Sequence, residues 1–387
     1  MQKLYYENPY IKEWEALVVN QIEKDGKFIV ELSETAFYPE GGGQPRDFGS
    51  IDGIEVIDLF EDSDKIYHVL DKKIENEKVL CKIDFERRFD HMQNHTGQHL
   101  LSAIFIELYN APTNSFHLGE DYISIDIGLE NASDETVKIV EDRVNSLIFK
   151  NIPVKSYIIN LEEAKKLPLR KLPPTDVDIR IVEIEGIDYS PCCGTHVKNL
   201  GEIGMLKILK TEKYKNMTRV YFKCGKRLLK DFQDKNTVIN TLIKNLSVPQ
   251  HEILPKIDQL QSDIKNISKQ LSLQRELNAE FIAKEIAASS LENNIVQIFE
   301  DKSFEEIQLI ANKTASLIDK AILFASLPDK KVILAHGGNL PLNCGQIFKE
   351  NLPKFNGRGG GGPKFAQGSF DDREKIKKFV AFIGEYI

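Results

Sequence analysis

The 387-residue sequence predicts an α+β fold in four successive parts. Three patterns carry this prediction. Residues 1–90 hold five short apolar runs divided by turn dipeptides; residues 96–109, 134–151 and 227–245 place apolar side chains at helical spacing; and residues 294–387 alternate between the two periods. The first part opens on runs at 16–19, 28–32, 55–59, 65–70 and 79–83, with Asp25-Gly26 and Asp52-Gly53 as turn signals, and reads as a small β-barrel or sandwich. The second, 91–225, mixes helices with strands at 154–160, 177–185 and 204–208. Its first helix, at 96–109, carries Leu100, Leu101, Ile104, Phe105 and Leu108 on one broad stripe.

Residues 226–290 are helical throughout, and Ile257, Leu260, Ile264, Ile267 and Leu271 make a heptad seam. Gln274 and Asn278 then take core positions, which leaves an antiparallel hairpin and a dimer stalk both open. The last part predicts strands at 295–299, 321–326 and 331–335, helices at 304–316, 344–352 and 371–386, and a glycine loop before the final helix, together an α/β domain.

Composition bounds the function. The chain is 41% hydrophobic and 28% charged, ordinary for a soluble globular protein, and no apolar run is long enough to span a membrane. Five scattered cysteines give no disulfide framework, and residues 1–10 are not signal-like, so the expected location is the cytoplasm. The net charge of −8 argues against a nucleic-acid partner only until it is divided: residues 207–235 hold ten bases against three acids, and 354–378 seven against three. A phosphate backbone responds to the local field rather than to the sum.

Two histidine-bearing motifs point to a metal. In His95-Thr96-Gly97-Gln98-His99 the i,i+4 spacing puts both imidazoles on one face of a helix, which this motif is expected to open. Cys192-Cys193-Gly194-Thr195-His196 reads as a loop. Together they supply three nitrogens and a thiolate, a normal tetrahedral zinc set. Spacing from His196 favours Cys192 as the thiolate, with Cys193 the alternative. Thr96 stands where a metalloprotease motif carries its glutamate, so that chemistry is excluded.

Two glycine strings, at 37–47 and 357–368, expose backbone N–H groups and suit close approach of a phosphate or ribose; neither is a P-loop. The second also carries Arg358, Lys364 and Phe365, which suit backbone charge and base stacking.

These motifs resemble a known family. The strings from His95 to Leu101 and from Cys192 to Val197 look like the paired zinc motifs of alanyl-tRNA synthetase editing domains, and Thr35 to Asp47 is similar to the glycine-rich motif of the same domain. Residues 359–368 resemble the signature of that synthetase's DHH-associated C-terminal domain. The resemblance runs in order along nearly the whole chain. With the editing part first and no room for an aminoacylation domain, it is to the long AlaX-type, free-standing editing proteins.

The resemblance implies hydrolysis, in trans, of mischarged tRNA(Ala), chiefly Ser-tRNA(Ala) and secondarily Gly-tRNA(Ala). One Zn2+ per chain would be held by His95, His99, Cys192 and His196. Thr35, Gln98 and His117 would line the catalytic pocket. Gly41, Gly42, Gly43 and Gln44 would meet the substrate, and Arg358, Gly360, Gly361, Lys364 and Phe365 would meet the tRNA. Cys193 departs from the family, which usually has glycine there. The implied layout is a barrel subdomain at 1–90, a zinc-binding deacylase core at 91–225, a helical linker at 226–290 and a tRNA-binding DHH-associated-like domain at 291–387, with a homodimer through 255–290 or the C-terminal domain and no membrane partner. Zinc would either activate the attacking water or only orient the substrate, and four protein ligands favour the second. The competing expectation is a zinc-structural RNA-binding protein without catalysis. An Asp-His-His phosphoesterase is disfavoured because Asp90-His91 is followed by Met92 and no aspartate cluster accompanies it.

Overall fold

Asp25-Gly26 and Asp52-Gly53 are left-handed at both positions (φ of 54° and 74°, 48° and 78°), the geometry that matches strand twist in a two-residue hairpin. They join Glu13–Lys24 to Lys27–Leu32 and Gly49–Ile51 to Ile54–Asp62. In the computed structural model, which describes residues 1–120, 122–170, 178–290 and 293–387, these strands pair with Lys65–Leu70 and Lys78–Ile83 into a closed six-stranded ring. Its interior holds Val30, Leu32, Ile51, Val56, Leu70 and Cys81. Of the ring strands, the one missed in the sequence is Gly49–Ile51, three residues being too few to show alternation.

The chain forms two compact units, Met1–Thr241 and Leu242–Ile387. The boundary expected at residue 90 lies inside the first, because buried polar contacts tie the ring to the helix that follows. Arg88 and Asp47 are both fully buried and form an ion pair; the same guanidinium donates to the carbonyls of Pro9 (2.9 Å) and Ala36 (2.6 Å).

That helix runs Phe85–Tyr109, not 96–109 as the apolar stripe suggested. Asp84 caps it by accepting from the Arg87 N–H, and Asn110 ends it in the left-handed conformation. Its first half shows only a thin apolar line, Phe85, Phe89 and Met92, because most of its buried side chains are polar and several find distant partners. Asp90 pairs with Arg227, Gln93 donates to the Glu202 carbonyl, and Asn94 accepts from the Cys224 N–H. His95 therefore sits in mid-helix instead of opening one.

This helix and Asp134–Phe149 share a core with a four-stranded antiparallel sheet, ordered Leu206–Tyr214, Met217–Cys224, Ile123–Ile127, Thr113–Leu118. A three-stranded sheet, Val154–Ile159, Ile179–Ile184, Asp188–Pro191, brings in the cysteine loop. Val177, where one strand was expected to begin, lies outside the described residues.

In the second unit, five strands order as Asn294–Phe299, Ala321–Ser326, Lys331–Ala335, Phe365–Ser369, Arg358–Gly361, the first pair parallel and the rest antiparallel. Strand alternation sends Leu323 and Ala325 toward helices Cys344–Asn351 and Arg373–Tyr386, and Ile322 and Phe324 toward Phe304–Leu317. The helix Ile253–Ser289 packs on that second face through Ala279. Leu260, Ile264, Ile267 and Leu271 of its heptad seam are exposed. The expected glycine loop at 357–368 is a β-hairpin. A Cβ on Gly345 would stand 2.4 Å from the Gly361 carbonyl oxygen, so small residues here let helix and edge strand approach. No helix among the described residues is long and apolar enough to cross a membrane.

Candidate metal centre

The ligand atoms of His95, His99, Cys192 and His196 all lie within 4.8 Å of one another. The long helix contributes the first two from consecutive turns. The other two come from the loop after strand Asp188–Pro191, which Arg180 fixes by donating to the carbonyls of Cys192 (2.7 Å) and Gly194 (2.9 Å). A Cβ at Gly194 would stand 2.3 Å from His95 Cε1, so only glycine lets the loop approach this closely. Cys192 Sγ is 3.4 Å from His196 Nε2 and 3.6 Å from His95 Nε2. Cys193 is exposed and outside the group, so the structure separates the two candidate thiols.

Two of the imidazoles are hydrogen-bonded from behind, and the third has a carboxylate behind it. His95 Nδ1 donates to Gln44 Oε1 (3.0 Å), which also accepts from the Thr195 N–H (3.0 Å), while Gln44 Nε2 donates to Thr195 Oγ1 (2.9 Å). His196 Nδ1 is 3.1 Å from Thr96 Oγ1, whose own proton goes to the Met92 carbonyl. His99 Nδ1 lies 3.4 Å from Asp188 Oδ2, and Asp188 is anchored by Arg170 and Ser190. With Nδ1 occupied outward, His95 and His196 turn their Nε2 lone pairs toward the thiol, the tautomer a metal needs. The donor set therefore fits a metal ion.

The electrostatics agree. Burial opposes ionisation of Cys192, yet His95 and His196 hold its thiol well below the ordinary range. Burial, then His95, lowers His196 to about 3, keeping it neutral. At Asp188 burial is outweighed by His99 and Arg170, which hold the carboxyl well below the usual range. Nitrogen and thiolate donors in one buried group suit a borderline cation such as Zn2+ over a hard one.

The other expected site residues fall into three groups. Gln44 is at the centre, but as a fully buried hydrogen-bond partner of His95 rather than a substrate contact. Gly42 and Gly43 (φ of 56° and 84°) make the tight turn that delivers it, closed by reciprocal bonds between Gly41 and Gln44; this is a turn, not an open phosphate cradle. Gln98 lies on the helical stripe of His95 and Ser102, its amide nitrogen donating to Ser102 Oγ (2.9 Å). Thr35 is buried, 2.9 Å from His68 Nε2, and accepts from the Phe37 N–H.

His117 is not brought to the centre. Its neighbour Phe116 stacks on His95, and strand alternation sends His117 to the opposite face, against Tyr122. Arg358 and Lys364 are exposed in the second unit, with Gly360 and Gly361 on the edge strand. Phe365 is half-buried and packs against the core on the Phe304–Leu317 side. Sequence reading missed His68, Thr96, Asp188 and Arg180, and only Thr96 lay inside a recognised motif.

A family profile described as "Threonyl and Alanyl tRNA synthetase second additional domain" matches residues 179–221, which include the cysteine loop. The alanyl-tRNA editing protein AlaX-L of Pyrococcus horikoshii is 31% identical over 95% of this chain and 94% of its own length. The alanyl-tRNA editing protein Aarsd1 of Danio rerio is 30% identical over 97% of this chain and 95% of its own.

Proposed function

The chain belongs to the alanyl-tRNA editing protein family, and on that premise we propose that it hydrolyses mischarged tRNA(Ala) in trans, chiefly Ser-tRNA(Ala) and secondarily Gly-tRNA(Ala), with one Zn2+ per chain. The observation that carries the reading is the group of His95, His99, Cys192 and His196, with outward hydrogen bonds turning the His95 and His196 lone pairs inward. Zn2+ bound there would supply a Lewis-acid point charge and a template for the acylated 3′ end.

The protein's own groups do the rest. The Thr35 hydroxyl proton is committed to His68 Nε2, because His68 Nδ1 donates to the Val30 carbonyl (3.1 Å). The Thr35 oxygen already accepts from the Phe37 N–H and keeps one lone pair, which would suit a seryl hydroxyl or a water. Gln98, its amide nitrogen engaged by Ser102, keeps its carbonyl end for a second donor. A site that hydrogen-bonds the seryl hydroxyl leaves a buried group unpaired with alanine, which spares the correctly charged tRNA. Residues 1–225 make the zinc-binding deacylase, 226–290 the helical linker, and 291–387, through Arg358 and Lys364, a further tRNA contact.

The test is deacylation of Ser-, Gly- and Ala-tRNA(Ala) side by side, with and without a chelator. Turnover of the first two, spared Ala-tRNA and loss on chelation support the reading. Zinc binding with no turnover above the spontaneous rate would leave a structural zinc protein that binds RNA, which a closed four-ligand site also suits.

A further inference from the structure

The three imidazoles of the metal centre are not backed alike. His95 and His196 each have a neutral side chain behind them, Gln44 and Thr96. His99 has a carboxylate, with Asp188 Oδ2 3.4 Å from its Nδ1. That contact is longer than a formed hydrogen bond, and His99 Nδ1 has no other partner among the described residues. The orientation of this ring therefore depends on where Asp188 is held. The Asp188 side chain is 2% exposed, a depth at which a carboxylate needs its charge paired and its lone pairs taken. Arg170 does both. Its Nε donates to Oδ1 (2.6 Å) and its Nη2 to Oδ2, a two-pronged fork, while the Ser190 hydroxyl also donates to Oδ2 (2.9 Å). The same Nη2 donates to the His99 main-chain carbonyl (3.1 Å). One guanidinium thus holds His99 twice, its backbone directly and its ring through Asp188.

Arg170 comes from outside the elements that carry the four candidate ligands. It stands at the end of residues 161–170, which follow the strand Val154–Ile159 and pack against its sheet. Ala164 is buried with Ile179 and Ile181, and Leu161, Leu167 and Leu169 are half-buried around them. Three fully buried residues make a small core, and a segment resting on one opens at low cost in free energy. Lys165 and Lys166 are exposed, and Lys165 pairs within the segment, with Glu162. Arg170 is what ties this segment to the buried charge behind His99.

We propose that Arg170 is a positioning residue that latches residues 161–170 onto the metal centre, so that docking of this segment and metal binding favour each other. The inference rests on the metal reading above and is independent of which ester is cleaved. Without Arg170 the Asp188 carboxylate is left buried and short of its main partner. It is relieved only by moving toward water or by taking a proton, and either change removes the acceptor that orients His99. The effect is reciprocal by linkage. The factor by which the docked segment raises metal affinity is the factor by which bound metal shifts the segment toward its docked state.

The experiment uses the full chain and Zn2+ alone. Competition against a chelator of known affinity measures zinc binding. Limited trypsin digestion, followed by mass spectrometry at the bonds after Lys165 and Lys166, measures docking of the segment. Arg170→Met should weaken zinc binding by about tenfold or more, and Arg170→Lys, which keeps the charge without the fork, should recover part of the loss. Zinc should slow wild-type cleavage at those two bonds by a comparable factor. Cleavage after Lys215, in the exposed turn between the strands Leu206–Tyr214 and Met217–Cys224, is the control and should not respond to zinc. In Arg170→Met the zinc protection at Lys165 and Lys166 should disappear. The wild-type digestion decides by itself if that variant folds poorly. Zinc affinity within about twofold of wild type in a folded Arg170→Met, or equal protection at Lys166 and Lys215, would overturn the latch. A wild-type chain that binds no zinc would instead sink the metal reading, and the latch with it.

Discussion

Replacing Gln44 by leucine tests whether the glycine string serves the metal group through this one side chain. Gln44 is fully buried and makes three hydrogen bonds, accepting from His95 Nδ1 and the Thr195 N–H and donating to Thr195 Oγ1. Leucine fills a similar volume but leaves the first two donors unpaired in a buried site. At about 1–3 kcal/mol for each orphaned donor, the destabilisation should be about 2–6 kcal/mol. Loss of the group that orients a ligating imidazole typically costs about 10–100-fold in metal affinity. Competition against a chelator of known affinity measures the second quantity, and urea unfolding of the zinc-free protein the first. Gln44→Glu is the control: it keeps an acceptor for both donors and should bind zinc more tightly than the leucine variant. If Gln44→Leu binds zinc within twofold of wild type, His95 does not depend on Gln44 for its tautomer, and the turn has some other purpose.

Three further outcomes are expected. Cys192→Ala should lose stoichiometric zinc and deacylation together while Cys193→Ala keeps both, as read by metal analysis and turnover; the reverse pattern would refute the ligand set. Arg88→Met should destabilise the protein by about 3–5 kcal/mol by stranding Asp47 in a fully buried site, whereas replacing both partners by apolar residues should recover much of that; a single-variant loss under about 1 kcal/mol in urea would show that the pair does not lock the ring to the helix. His68 is lowered by burial to about 4, below its unfolded value of about 6.5, so its contribution is present above pH 6.5 and is lost as the pH falls toward 4. Across that window wild type should lose up to about 3 kcal/mol more than His68→Asn; parallel stability–pH curves would contradict the buried neutral imidazole.

The group of His95, His99, Cys192 and His196 was legible because helical geometry alone puts His95 and His99 together, and a Cys-x3-His loop is short enough to offer both remaining donors. The choice between Cys192 and Cys193 was legible only as a preference, because either thiol of a flexible loop can turn inward. Arg180, twelve residues away in sequence, holds the carbonyls of Cys192 and Gly194, and in that loop conformation Cys192 Sγ lies beside the imidazoles while Cys193 is exposed. His117 was misplaced because a motif match carries no strand parity, and Phe116 against His95 fixes that parity. The early half of the long helix escaped detection because its buried residues are polar and their partners lie up to 137 positions away, as Asp90 and Arg227 show. The glycine strings were read as open loops, but one is a turn that delivers Gln44 and the other an edge hairpin packed under a helix.

By itself, then, the sequence determined the α+β class, the succession of strand-rich, mixed and helical segments, and the residue types of a nitrogen–thiolate site. Those follow from periodicity and short-range spacing, which are local. Tertiary structure decided that Cys192 rather than Cys193 lies with the three imidazoles, that Gln44, Thr96 and Asp188 stand behind them, and that His68 takes the Thr35 proton. The physical reason is the cost of burying a polar group unpaired. That cost is met only where the fold brings distant residues within about 3 Å, and a linear sequence holds no record of those distances.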